Sequence, residues 1–326
     1  MNSSAAAVDY SIVIPVYFNE GCLHVLFDRL AGEVIQRLPE RTAEIVFVDD
    51  GSGDRSLEEL LALQAAHPDR IRILKFTRNF GQVSAIYAGL EHANGSCAVV
   101  MSADGQDPAA LVREMLDCYF RGEAQVVVAA RSGRDESWFR RMTSRVFYGL
   151  MRRLSFPDIP RGGFDFVLMG RPVVDLLLRN REAHPFLQGQ ILWTGFKPKV
   201  IEYFRQRRVA GRSRWSLGRK LTYLLDGVMG YSFTPMRLMS AVGSVVALMG
   251  FLYALVVVIV RLFGGIPARG WAPLMIVMLV LGGLQMLMLG IIGEYLWRTL
   301  AQARARDPYV IERIYERRPR ATAPPA

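Results

Sequence analysis

At 326 residues, 51% of them hydrophobic, the chain has room for one sizeable α/β domain and an apolar appendage, and it is too apolar to read as wholly soluble. A formal charge of +10, from 40 Lys and Arg against 30 Asp and Glu, fits nucleic acid, anionic lipid or a phosphorylated substrate alike. Three cysteines (Cys22, Cys97, Cys118) and four scattered histidines lack metal-ligand spacing, which argues against zinc and leaves the thiols as buried structural groups.

Residues 1–9 read as a flexible start with no basic, apolar or cleavage-like pattern, so export of the N-terminal half is not expected. From Tyr10 strands and helices alternate. Apolar, β-branched runs at 11–16, 44–48, 71–76, 97–101 and 126–130 predict strands, and helical periodicity at 21–38, 56–66, 83–93 and 111–121 predicts the helices between them. That alternation implies a mainly parallel sheet, in which ligands bind beyond the C-terminal strand ends. Trp193 is expected to pack in a core.

Two uncharged apolar segments follow, 238–260 and 272–293, each long enough to cross a bilayer core. The turn between them carries Gly264, Gly265 and Pro267, so they form a helical hairpin whose flanks share one side. Arg212, Arg214, Arg219, Lys220 and Arg237 precede the hairpin and Arg298, Arg304 and Arg306 follow it, against Arg261 and Arg269 in the turn. The positive-inside tendency then puts the N-terminal domain and the C-terminus in the cytoplasm, in a multi-pass protein of the inner (plasma) membrane. Residues 217–231 read as an amphipathic helix lying at the interface, and 309–314 as a short strand or a subunit contact. The Pro- and Ala-rich end is expected to be disordered. The resulting layout is 10–215 for the catalytic domain, 216–236 for the interfacial helix and linker, 237–298 for the hairpin and 299–326 for the tail.

Three polar clusters fall where predicted strands end: 17–20, 49–54 and 102–108. One crevice could collect all three. A carboxylate at a strand end can accept hydrogen bonds from a base or ribose, and another can share a divalent ion with two phosphates. An Asp-Gly turn by itself is usually only a turn, so the joint placement carries the argument. Cations that suit a phosphate acceptor come later: Arg131, Arg134, Arg140, Arg141, Arg208, Arg212 and Arg214. Each of these taken singly also suits a solvated face or a lipid headgroup.

Read together, SIVIPVYFNE (11–20), VDDGSGD (48–54), NFG (79–81), SADGQDP (102–108), GFDF (163–166), RVAGRSR (208–214) and the two apolar segments resemble the family 2 inverting glycosyltransferases. Within that family they are most similar to the polyprenyl-phosphate branch, of the dolichol-phosphate mannosyltransferase and bactoprenol glucosyltransferase type. The resemblance implies a GT-A nucleotide-binding domain followed by an interfacial helix and a transmembrane hairpin. It also implies inverting transfer of a sugar from a nucleotide-sugar, UDP-hexose by preference, to a polyprenyl phosphate such as undecaprenyl phosphate.

By the same resemblance Pro15, Tyr17, Glu20, Asp49, Asp50, Asn79, Ser102, Asp104, Gln106 and Arg214 hold the nucleotide-sugar. Asp104 and Gln106 hold Mg²⁺ or Mn²⁺. Arg131, Arg140, Ser144 and Arg208 take the acceptor phosphate, and Asp104, Asp165 and Arg208 are the catalytic set. The family's metal motif reads Asp-x-Asp, whereas this chain has Ser102 in place of the first acid, so weaker metal affinity is expected. Membrane lipids are implied as partners, with self-assembly into a tetramer. Two other readings compete: a processive polysaccharide synthase, whose Gln-x-x-Arg-Trp element is matched here only by RSRW (212–215), and a non-catalytic nucleotide-sugar-binding scaffold. A nucleic-acid partner is not expected, because the basic residues are spent on the membrane flanks.

Overall fold

The computed structural model describes residues 8–131, 142, 148–149, 151–153, 156, 159–160, 163–183, 185–203, 226–227, 229–263, 271–304 and 306–316. Their contacts divide the chain into two units, Met1–Leu224 with Asp307–Ala326, and Leu225–Arg306.

The first unit is built on one eight-stranded sheet. Its parallel centre comes from β1 (Tyr10–Val16), β2 (Ala43–Asp49), β3 (Ile71–Phe76) and β4 (Cys97–Val100), joined by α1 (Leu23–Glu33), α2 (Ser56–Ala66) and α3 (Gln82–Glu91). After α4 (Ala109–Phe120) come β5 (Val126–Arg131), β6 (Phe166–Gly170), α5 (Arg171–Arg179), α6 (Leu187–Trp193) and β7 (Lys199–Tyr203). The strand order is β7-β5-β6-β4-β1-β2-β3-β8, where β8 (Ile311–Tyr315) is the short segment beyond the apolar helices. It adds antiparallel to β3.

The central strands are buried on both faces, as parallel strands under helices must be. Period-two alternation sorts their side chains. Tyr10, Ile12, Ile14 and Val16 of β1 face Leu23, Leu26 and Leu30 of α1 and Val112, Met115 and Leu116 of α4. Val13, Val46, Val48 and Leu74 face Ala85, Ile86 and Leu90 of α3 and Val173, Val174 and Leu177 of α5. Close approach of α3 depends on Gly89, where a Cβ would sit 2.3 Å from Val13 Cγ1.

Two features depart from a purely parallel reading. β6 runs antiparallel between β4 and β5, and β8 runs antiparallel at the far edge, so the sheet is mixed. The consequence for the site is direct. Because β6 is reversed, its first residue, Phe166, lies at the sheet edge where β1, β2 and β4 end, and Val167 pairs with Val100. β5 and β7 run parallel to each other, with Arg131 opposite Tyr203 at that same edge. The three cysteines are buried, whereas Trp193 is 61% exposed: it closes the short helix α6 on the side away from buried Ile191 and is not part of a core.

The second unit holds α7 (Thr234–Leu262) and α8 (Trp271–Ala303). Segments Met236–Val260 and Val280–Ala303 are long and apolar enough to cross a membrane. Their side chains Leu248, Phe251, Leu252, Val256, Met278, Met286 and Leu289 are exposed, which is the state expected of a helix surface made for lipid. Where α8 turns polar, Arg298 bridges Glu294 (2.7 Å) and Asp226 (2.9 Å), and Tyr295 donates to the Ser232 carbonyl. Of the interfacial helix expected at 217–231, only 226–227 and 229–231 are described, and they are helical.

Candidate active site

Three loops leave the C-terminal ends of β1, β2 and β4 side by side, and hydrogen bonds tie the first to the second. The loop after β1 is held by the loop after β2: Phe18 N–H donates to Ser52 Oγ (3.1 Å), Asn19 N–H to Ser56 Oγ (2.8 Å) and Glu20 N–H to Asp54 (3.2 Å). Tyr17 N–H turns back onto the Asn19 side chain. Phe18 adopts φ +56°, an unfavourable conformation for a bulky L-residue. It persists because the hydrogen bonds on either side of Phe18 fix the backbone, and it sets the Phe18 ring edge-on to Tyr17 at 4.7 Å. Pro15 and Tyr17 are half-buried and Glu20 is exposed at the rim.

The two acids after β2 differ sharply in what they do. Asp49 is fully buried; its Oδ1 accepts the Ser52 N–H (3.0 Å), and its Oδ2 has no hydrogen-bond partner among the described residues. Burial pushes its carboxyl above the ordinary value. Asp50 instead organises the loop after β3, accepting the Asn79 side-chain amide (3.0 Å), the Phe80 N–H (2.6 Å) and the Gly81 N–H (2.9 Å). Burial raises its pKa to about 6 even though the two backbone N–H groups favour the ionised form. The approach of that loop requires Gly51: at φ +70°, a Cβ there would lie 2.7 Å from the Arg78 carbonyl carbon.

The loop after β4 carries the Ser102 departure. Ser102 Oγ donates to Asp104 Oδ1 at 2.7 Å, and the Gln106 N–H reaches the same oxygen at 3.2 Å. Asp104 is therefore oriented by a hydroxyl where an acid would have repelled it. Asp107, buried, anchors the loop by accepting the Ser102 N–H (3.3 Å) and the Tyr203 hydroxyl (2.8 Å). Tyr203 closes β7, so the strand leading toward Arg208 in sequence begins its exit at the Asp104 loop.

Asp165 stands exposed just before β6, at the same sheet edge, with Gln188 donating to the Phe164 carbonyl beneath it (2.6 Å). Gly163, at φ +66°, gives way to the Tyr148 ring, which a Cβ would strike. Thus Pro15, Tyr17, Glu20, Asp49, Asp50, Asn79, Ser102, Asp104, Gln106 and Asp165 share one edge of the sheet. Arg131 ends β5 at that edge. Arg140, Ser144, Arg208 and Arg214 lie outside the described residues. Phe18, Asp107 and Tyr203 are not among the residues singled out from the sequence; Phe18 lies inside the SIVIPVYFNE run and Asp107 inside the SADGQDP run, whereas Tyr203 carries no local signal. Among the described residues no group of three or more His, Cys, Asp or Glu could hold a metal unaided. A cation at Asp104 would therefore need oxygens from a bound diphosphate and water, as hard divalent ions accept.

Residues 11–178 match glycosyl transferase family 2, and residues 234–298 match the GtrB C-terminal hairpin. The chain belongs to glycosyl transferase family 2. Curated relatives in that family align over nearly the whole length. An uncharacterized glycosyltransferase, YkcC of Bacillus subtilis, is 38% identical over 94% of each chain. A prophage bactoprenol glucosyl transferase homolog of Escherichia coli is 33% identical over 93% of this chain and 98% of its own. The SfII prophage-derived bactoprenol glucosyl transferase of Shigella flexneri is 34% identical over 95% and 99%. Among solved structures, the mannosyltransferase PcManGT of Pyrobaculum calidifontis, in complex with GDP-Man and Mn²⁺, superimposes with a TM-score of 0.50 at 16% identity, covering 90% of this chain and 86% of that one. The fold of this family 2 glycosyltransferase is GT-A, with a mixed sheet between helical layers and two apolar helices following.

Proposed function

We propose that this glycosyltransferase transfers a hexose, with inversion, from a UDP-sugar to a polyprenyl phosphate of the undecaprenyl type at the cytoplasmic face of a membrane. The observation that carries the reading is the convergence of three acid-bearing loops and Asp165 on one sheet edge, in a chain that continues into two bilayer-length helices. The named bactoprenol glucosyl transferases at 33–34% identity support the acceptor class.

In this reading the base and ribose lie against Pro15, Tyr17, Asp49 and Asp50, whose buried acids offer acceptors to N–H and O–H groups. The diphosphate lies toward Ser102, Asp104 and Gln106, with Asn79 and Arg214 as further donors. Mg²⁺ or Mn²⁺ held there by Asp104 and Gln106 would neutralise the departing diphosphate. The acceptor is a phosphate monoester, already mostly ionised near neutral pH, and so needs no strong base. Its oxygen forms the new bond to the anomeric carbon from the face opposite the leaving group, and the electron pair of the breaking C–O bond departs with UDP. Arg131, Arg140, Ser144 and Arg208 would hold the acceptor phosphate in line, and Asp165 would orient sugar or acceptor.

The test supplies radiolabelled nucleotide-hexoses and undecaprenyl phosphate to the detergent-purified protein. Label in a butanol-extractable lipid is the expected result; insoluble polymer would mean a synthase, and no transfer a scaffold. Asp104→Asn is expected to abolish transfer and metal-dependent donor binding, and Arg208→Ala to raise the requirement for lipid or donor.

A further inference from the structure

The segment that returns from α8 is more than an edge strand. β8 pairs with β3 only as far as Phe76 opposite Ile311, across a register shift between Lys75 and Phe76. Such an irregularity re-aims the side chains beyond it. The Val310 carbonyl then accepts the Thr77 N–H (3.1 Å), and the Tyr309 ring stacks flat on buried Phe76, with centroids 5.2 Å apart and planes 7° apart. Phe76 meets Phe80 edge-on at 5.7 Å, and the Arg78 guanidinium covers the Phe80 ring at 4.0 Å. Phe80 is the residue whose N–H reaches Asp50 at 2.6 Å. On its other side Tyr309 donates its hydroxyl to Glu91, which Arg181 holds at 2.6 Å. An unbroken line of packed rings and hydrogen bonds thus runs from the end of α3 and the turn after α5, through Tyr309, to the loop that Asp50 gathers.

We propose that Tyr309 is a positioning residue for the donor: it braces the loop at residues 79–81, so that the chain leaving the apolar hairpin sets how tightly a nucleoside diphosphate is held. The proposal rests on the reading of the Asp50 crevice as the donor site. A strand that only capped the sheet would need the β3 pairing and the Lys75–Glu312 ion pair (2.8 Å), but not the stack on Phe76. Tyr309 also lies only six positions beyond Ala303, the last residue of α8.

The experiment uses the full-length enzyme in detergent. It compares Tyr309→Ala, Tyr309→Leu, Tyr309→Phe and Glu312→Gln by UDP titration calorimetry, steady-state kinetics, melting temperature and amide exchange at Phe80 and Gly81. Loss of the stack is expected to weaken UDP binding and raise donor KM roughly 3- to 10-fold, with lipid KM and kcat unmoved and the two amides exchanging faster. Tyr309→Phe keeps the ring and stays near wild type, as does Glu312→Gln. Tyr309→Leu keeps apolar bulk without the flat stack and supplies the comparison should the alanine variant unfold. Unchanged exchange at Phe80 and Gly81 overturns the proposal, as does a loss in Glu312→Gln equal to that in Tyr309→Ala. Faster exchange with unaltered UDP affinity would instead sink the reading of this crevice as the donor site.

Discussion

A carboxylate with almost no exposed surface and three N–H donors around it is pulled two ways, and at Asp50 burial wins. Its pKa of about 6 stands above the ordinary 3.8, so the protonated form is favoured by folding. The stability this group contributes is therefore complete below the unfolded value and lost as pH rises through about 6, a difference on the order of 3 kcal/mol. Holding Asp50 ionised at neutral pH works against the fold, and what it gains is an ordered loop at residues 79–81 and an anionic acceptor in the crevice. Donor binding should then show the opposite pH dependence to that stability term. With a UDP-hexose, whose diphosphate diester does not titrate in this range, affinity is expected to be level above pH ~7 and to fall by about tenfold per unit well below 6. Calorimetry from pH 8 to 5 measures it; a flat profile removes Asp50 from donor binding. Ser102 belongs to this scale too. By resemblance an acid of the family's Asp-x-Asp motif is replaced here by Ser102, and the structure shows what that residue does: its hydroxyl donates to Asp104. Asp107 could not be read as an anchor from sequence, because its partner Tyr203 lies 96 positions away.

At the scale of elements, how closely a helix packs on the sheet decides how tolerant its glycine is. At Gly89 an added Cβ would meet Val13 Cγ1 at 2.3 Å and Val48 Cγ2 at 3.3 Å, so α3 must lift from β1 and β2. Gly89→Ala is expected to destabilise the domain by about 1–3 kcal/mol. Gly32, inside α1 with nothing within 4 Å of its would-be Cβ, is the contrasting case: Gly32→Ala is expected to stabilise by about 0.4–1 kcal/mol, through the entropy of the unfolded chain. Denaturant midpoints of the two variants should move in opposite directions, and a shared sign would refute this account of the packing. The same elements show how far the sequence could be read. The parallel centre was legible because apolar runs and helical periods alternate from Tyr10 to Phe120, and the expected helix starts at 21, 83 and 111 fall within two residues of Leu23, Gln82 and Ala109. β6 and β7 were not legible. They are five residues each, β7 presents Lys199, Val200 and Glu202 to solvent, and β6 takes its direction from tertiary pairing with β4 and β5. The edge that gathers the site therefore followed from motif and strand end for Asp49, Asp50 and Asp104. For Asp165 the same placement depended on the reversal of β6, which no local pattern announces.

For the whole molecule, β8 settles a question of topology. β1 to β7 precede the apolar helices and β8 follows them, yet β8 pairs with β3 in the same sheet. If α7 and α8 both cross a bilayer, the chain must enter and return on one side, which an even number of spans provides. The alternative, a hairpin lying in the interface without crossing, would keep residue 263 on that side as well. Surface labelling separates the two. The native thiols Cys22, Cys97 and Cys118 are buried and should stay silent toward a membrane-impermeant maleimide. Phe263→Cys, at the exposed end of α7, and Arg306→Cys, in the exposed stretch before β8, provide reporters at the two ends of the question. In sealed vesicles with the cytoplasmic face inward, the reporter at 263 is expected to react at once and the reporter at 306 only after permeabilisation. Inverted vesicles should reverse the pattern. Reaction of both from the same face would mean that the apolar helices do not span, and the proposed donor site would then have to reach the proposed lipid acceptor without a crossing anchor.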